Sequence, residues 1–344
     1  MLNALGQFLG DLRVVLRTTV PESFFRARLS VPWDYRPAQQ DIGCVQNGPL
    51  TIDVPATWTA LSQFHAGWEA RLEAEAKELK SVSPDLVVSD ISYLAVAAAR
   101  AADVPLVCMG SLAWDEIMEA YAKPDNRTHQ HILEQMRRCY RSADRIIRLT
   151  PAMPLRAFAS HDDVGPIIER IEPKTALLRQ TIRTPAEDRL VLVGFGGIAL
   201  TSLPYKQMEE MRGYRFLVDG DLPGQYTRVH SIAGLGLPFM TVLASTDIIM
   251  TKPGYSTMVE AVDKRKPVVY VRRNNFGDEQ TLVDYLHRYG RGAELPMEDF
   301  VSGNWTASLT AACAPPSEPT ETPPAAGNSA AAHILLSYLS PPSA

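Results

Sequence analysis

Lys252, Gly254, Ser256, Thr257 and Glu260 fall within one short stretch that joins an apolar run to a helical pattern. Asp247–Met250 reads as a short buried strand, Lys252-Pro253-Gly254 as a turn, and Ser256 onward as a helix. The first N–H groups of a helix have no intrahelical acceptor, and the positive end of the helix dipole lies beside them, so such a junction is an anion site. Ser256 and Thr257 add hydroxyl donors, and Gly254 lets a phosphate approach the backbone. Thr257 and Glu260 also fit a capping box, in which each side chain satisfies an orphan N–H of the other's residue. The functional alternative is that Glu260 accepts hydrogen bonds from a ribose diol. The following strand, 267–271, ends in Arg272 and Arg273 and leads through a polar run to Glu279 and Gln280. Both loops leave the carboxyl ends of strands, where open α/β sheets bind ligands. The chemistry indicated is binding of a phosphorylated ligand, a nucleotide first.

Gly194-Phe195-Gly196-Gly197 follows another short apolar run, 190–193. It serves either as a phosphate-approach loop or as a simple chain reversal. It lacks the third glycine and the ribose-binding acid of the dinucleotide fingerprint, which argues against a nicotinamide or flavin enzyme. Asp90 closes the run 86–89 and precedes a helix, so an N-cap role competes with a role as general base. Ser111, Trp114 and Asp115 end the next strand in the same way, and Asp115 is the second candidate carboxylate. His129 and His131 are two residues apart on a helical pattern and point in different directions, so no metal pair is expected from them.

These residues need a scaffold of alternating strands and helices. Apolar β-branched runs at 12–17, 86–89, 106–109 and 145–149 alternate with helical patterns at 58–80, 93–102 and 129–142. A proline-containing polar stretch, 150–166, interrupts the rhythm, and strands restart at 190–193, 215–218, 247–250 and 267–271. The segment 314–324 is rich in proline and precedes a last helix, 329–339, with Ile334, Leu335, Tyr338 and Leu339 as its apolar face. The expected domains are 1–155, 156–313 and a strap with helix at 314–344. A chain of 344 residues with 46% hydrophobic and 21% charged residues can bury two cores. A net charge of −5 gives no footprint for nucleic acid. No run is apolar enough to span a bilayer, the start lacks a signal-peptide pattern, and four scattered cysteines suit a reducing, cytoplasmic setting.

The segments Asp85–Asp90, Gly110–Asp115, Lys252–Thr257 with Glu260, Val271–Arg273 with Glu279, Ser302–Thr306 and Ala331–Leu335 resemble the glycosyltransferase-like part of plant L-arabinokinases and their bacterial relatives. More distantly, the block from Lys252 to Gln280 is similar to the donor site of GT-B glycosyltransferases. The resemblance implies two Rossmann-like domains, a nucleotide-sugar donor (a UDP-sugar in the first instance) and no metal or other cofactor. It implies a diphosphate at Gly196, Gly197, Lys252, Gly254, Ser256 and Thr257, ribose at Glu260 and the donor sugar at Gln280, with Glu279 a further nucleotide-sugar-binding residue. Arg273 would help to stabilise the departing diphosphate. The galactokinase-like domain of an arabinokinase has no counterpart here, so sugar-kinase activity is not implied.

The family's first strand and its Gly/His-rich loop also have no counterpart in the chain as written. The expectation is therefore a GT-B protein whose N-terminal sheet is interrupted between the strands at 12–17 and 86–89, filled by an upstream segment or by another subunit. The expected activity is metal-independent transfer of a sugar to an unidentified acceptor with inversion. A nucleotide-sugar hydrolase or epimerase and a non-catalytic sensor are the rival readings.

Overall fold

The computed structural model describes residues 1–196, 203–273, 275–315 and 320–339. The chain divides into two units. The first comprises 1–45, 53–167 and 324–344, and the second 46–52 and 168–323.

Among the described residues of the second unit, stretches of three to five residues, apolar in the central strands, form six parallel strands. These are β7 (Arg189–Val193), β8 (Tyr214–Val218), β9 (Val229–Ser231), β10 (Ile248–Thr251), β11 (Val268–Tyr270) and β12 (Gly292–Glu294), numbered in chain order over the described residues. Their spatial order is β12-β11-β10-β7-β8-β9. That is the doubly wound Rossmann order, with its reversal between β7 and β10. Because helices cover both faces of a parallel sheet, its central strands are apolar, and alternate residues enter opposite cores. Leu190, Leu192, Ile249 and Val268 pack into one core. Val191, Val193, Ile248, Met250 and Val269 pack into the other, around the fully buried Trp305.

The first unit holds the remaining six strands in two sheets. β1 (Val14–Leu16) pairs in parallel with β2 (Trp33–Tyr35). β3 (Val87–Ser89), β4 (Leu106–Gly110), β5 (Arg145–Leu149) and β6 (His161–Val164) form a separate parallel sheet in that order. Among the described residues β1 and β3 do not pair, in keeping with the interrupted order expected from the sequence. The expected domain limit of 155 moves to 167, because β6 lies inside the stretch read as a link and adds an edge to the N-terminal sheet. The terminal helix, Asn328–Leu339, also belongs to this unit and buries Ala331, Ala332 and Leu335.

Two helix expectations change in detail. The pattern at 58–80 is two helices, Val54–Ala66 and Trp68–Val82, separated at Gly67, and the first is capped by Asp53. The helix Tyr93–Ala102 is capped by Ser92, whose hydroxyl accepts from Ala95 N–H at 3.4 Å. Asp90 is therefore not the cap.

Candidate functional site

The reversal between β7 and β10 brings two loops together. Val193 is in register with Met250, and Gly194 N–H continues the ladder to the Met250 carbonyl at 3.0 Å. The chain then turns at Gly196, whose φ of +74° favours glycine. A side chain's first carbon at Gly196 would lie 3.6 Å from Lys252 Cε and 4.0 Å from Nζ. The lysine ammonium thus stands against the glycine turn. Gly197 lies outside the described residues.

Lys252 is 8% exposed and makes no hydrogen bond or ion pair with the described residues. Burial lowers its pKa to about 8, assisted by the charge of Arg273 and opposed by the carboxylates of Glu279 and Asp278. The helix that follows, Tyr255–Asp263, has Gly254 as its N-cap, and Met258 N–H is bonded to the Gly254 carbonyl at 3.0 Å. Ser256 and Thr257 sit in the turn before that bond, Ser256 exposed and Thr257 buried. An unpaired cation, a helix N-terminus and a glycine turn at one sheet edge can together hold a phosphate.

Thr257 lies inside the helix, so the capping box with Glu260 does not form. Glu260 is 2% exposed, and its carboxylate accepts from Glu169 N–H at 2.6 Å and from the Lys264 ammonium. It is oriented by these two donors, and a ribose would have to share or displace them. Arg273 and Glu279 were expected to face a ligand, and here they face each other. Arg273 Nε donates to Glu279 Oε1 at 2.6 Å, and Arg273 N–H points at the same carboxylate. Arg273 Nη2 donates to the Pro253 carbonyl at 3.0 Å, and the guanidinium lies 3.9 Å over the Phe276 ring. Residues 273 and 279 are 8% and 3% exposed. Gln280 is exposed, accepts from Arg272 at 3.2 Å and donates to Asp284 at 2.6 Å.

In the first unit, solvent reaches Asp90 in the loop after β3. The protein packed around it strips away hydration, and Asp41 adds like charge, so its carboxyl is raised to about 6. Ile91, next in the chain, has φ +51°, a left-handed conformation that a β-branched residue rarely adopts. The Tyr140 hydroxyl holds the Ile91 carbonyl at 2.7 Å and so stabilises that conformation. Asp115 takes a different place. It is 2% exposed in the helix Trp114–Glu119, with Arg137 Nε 3.5 Å from its Oδ2. The helix turns its carboxylate inward beside Arg137 and leaves Oδ1 buried without a hydrogen bond from the described residues.

The sequence reading missed Asp41. Trp114 Nε1 donates to Asp41 Oδ2 at 3.1 Å, and the Trp114 ring packs over Gly43. Asp41 sits in an irregular loop with no periodicity, so nothing in its neighbourhood marks it. His129 is stacked on Trp58 with ring centroids 3.6 Å apart, and its Nδ1 accepts from Lys123 N–H at 3.2 Å. That is a packing role. Among the described residues no three His, Cys, Asp or Glu side chains gather to hold a metal ion.

The described helices include none long and apolar enough to cross a membrane. The fold is that of GT-B glycosyltransferases, which are built from Rossmann-like domains. CalG4, the calicheamicin glycosyltransferase, superposes with a TM-score of 0.63 at 16% identity over 98% of this chain and 94% of its own. UDP-glucose:anthocyanidin 3-O-glucosyltransferase, crystallised with UDP, gives 0.62 at 12% identity over 98% of this chain and 95% of its own. In sequence, the chain is 29% identical over 338 residues to L-arabinokinase of Arabidopsis thaliana. The match covers 94% of this chain and 31% of the arabinokinase, so the chain spans about a third of that relative. No family model matches the chain.

Proposed function

We propose that the protein binds a nucleotide-sugar, a UDP-sugar in the first instance, through its C-terminal unit and transfers the sugar to an acceptor hydroxyl. The observation that carries this reading is the unpaired ammonium of the largely buried Lys252 side chain, set against Gly196 at the start of the helix Tyr255–Asp263. A buried cation without a partner is costly and calls for an anion. On this fold, UDP held by the anthocyanidin glucosyltransferase makes a nucleoside diphosphate the first anion to test.

In the proposed reaction the acceptor oxygen attacks the anomeric carbon as the bond from that carbon to the β-phosphate oxygen breaks. The configuration inverts, Asp90 takes the acceptor's proton, and the nucleoside diphosphate leaves. Lys252 and the helix N-terminus stabilise the charge that develops on the diphosphate. Because they supply positive charge themselves, no divalent ion is needed for binding. Ser256 and the turn at Gly196 would add donors to the diphosphate, Glu260 would receive the ribose, and Gln280 the sugar.

The test is thermal unfolding and calorimetry with UDP and a panel of nucleotide-sugars, with and without a chelator. A ligand at a hundred times its Kd should stabilise the protein by about 2.7 kcal/mol. Acceptor-dependent release of UDP identifies a transferase, acceptor-independent release a hydrolase, and binding without turnover a sensor. No response to any nucleoside diphosphate or nucleotide-sugar would overturn the reading.

A further inference from the structure

The loop after β11 and the turn after β10 are tied by one side chain, Arg273. Its guanidinium donates to Glu279 on one side and to the Pro253 carbonyl on the other, and Phe276 covers its face. The carbonyl it grips lies between Lys252 and Gly254. Asp278 Oδ1 stands 3.6 Å from Arg273 Nη2, so two carboxylates surround the guanidinium. A fork-shaped cation held through Nε on one side and Nη2 on the other is fixed in direction, and such a two-sided grip on a carbonyl orients the peptide it belongs to.

We propose that Arg273 is a positioning residue that fixes the Lys252-Pro253-Gly254 turn through the Pro253 carbonyl, leaving Lys252 as the cation that meets the diphosphate. This rests on the donor-site reading above and assigns the two neighbouring cations different tasks. The charged groups that face Lys252 are Arg273 itself, from the loop after β11, and Asp278 and Glu279, from the start of the helix Glu279–Tyr289. The diphosphate affinity of the native protein should therefore fall as pH rises through about 8, where Lys252 loses its proton.

Two substitutions separate holding the turn from supplying charge. Arg273→Lys keeps the charge but cannot bridge Glu279 and Pro253 together. It should weaken UDP and inorganic pyrophosphate alike by about tenfold and leave the pH midpoint of binding in place. Arg273→Met removes the charge as well, so Asp278 and Glu279 act on Lys252 unopposed and the midpoint should move to higher pH. A residue that only supports the fold would weaken binding without this division between the two variants. Amide hydrogen exchange at Gly254 and Tyr255, measured without ligand, should quicken in Arg273→Lys while the thermal midpoint stays close to that of the native protein. The proposal is overturned if Arg273→Lys exchanges at the native rate and binds both probes normally, or if Arg273→Met leaves the midpoint where it was. Faster exchange in a protein that binds neither probe would sink the donor-site reading while upholding the grip on the turn.

Discussion

At the scale of single residues, Lys252 places stability and binding in opposition. Its side chain is largely buried and its ammonium has no described partner, so the folded state holds the proton less tightly than the unfolded chain does. The unfolded chain therefore binds more protons in this range, and stability rises with pH between about 8 and the ordinary lysine range near 10.5. Lys252→Met fills the same space without charge. It should be more stable than the native protein at neutral pH, by on the order of 3 kcal/mol at most, and should lose the difference as pH rises through that window. The same variant should bind UDP more weakly by about 1.5–3 kcal/mol, the range for a hydrogen bond to a charged group. Chemical denaturation across pH, paired with UDP calorimetry, checks both signs, and a variant that is less stable yet binds normally would contradict the assignment. The turn from Lys252 to Gly254 was legible in the sequence because its residues are contiguous and lie between a strand and a helix. The pairing of Arg273 with Glu279 was not, since six residues of separation across a loop do not say whether two opposite charges meet each other or a ligand. Asp41 left no local trace because its partner, Trp114, lies on a distant helix.

At the scale of elements, the proline-rich tail is anchored by a backbone crossing. Gly327 N–H donates to the Pro166 carbonyl at 2.8 Å, and a side chain's first carbon at Gly165 would fall 1.8 Å from the Ala325 carbonyl oxygen. Beyond this crossing, the helix Asn328–Leu339 packs beside the opening helix Leu2–Leu5, and Phe8 lies 4.5 Å from the His333 ring. Gly165→Ala should therefore cost about 1–3 kcal/mol through overpacking against backbone. It should also raise protease sensitivity near residues 324–328, and native stability in the variant would show that the crossing gives way at no cost. The segment's attachment followed from its apolar helix face, but that face proves to be Ala331, Ala332 and Leu335 rather than the bulkier residues at 334, 338 and 339. Four strands escaped the sequence reading for a common reason. β2, β6, β9 and β12 are three or four residues long and lie at sheet edges, where one side is open and apolar patterning is weak. β6 is His-Asp-Asp-Val and is joined to β5 through Arg145–Asp162 and Arg148–Asp163 ion pairs, a pattern that reads as a polar loop.

At the scale of the whole molecule, two titrating groups set opposite pH limits on the proposed transfer. Asp90 must be deprotonated to accept a proton and titrates near 6. Lys252 must stay protonated to hold the diphosphate and titrates near 8. The profile of kcat/KM should rise with pH through about 6 and fall above about 8, and Asp90→Asn should lose transfer while retaining UDP binding. A profile without an acid limb, or a fully active Asp90→Asn protein, would remove Asp90 from the reaction. The doubly wound order of the second unit was legible because buried parallel strands are short, apolar and separated by helices. The division of the first unit into two sheets rested on counting strands against that same order. The first unit is also assembled from pieces at both ends of the chain, 1–45, 53–167 and 324–344, whereas nearly all of the second is the continuous run 168–323. A ribosome adds about 5–20 residues each second, so on the order of 10–40 s separate the emergence of the β3–β4 pair from that of the closing helix. The unit translated later, nearly all of it one continuous run, can therefore finish folding before the first unit has received its last helix.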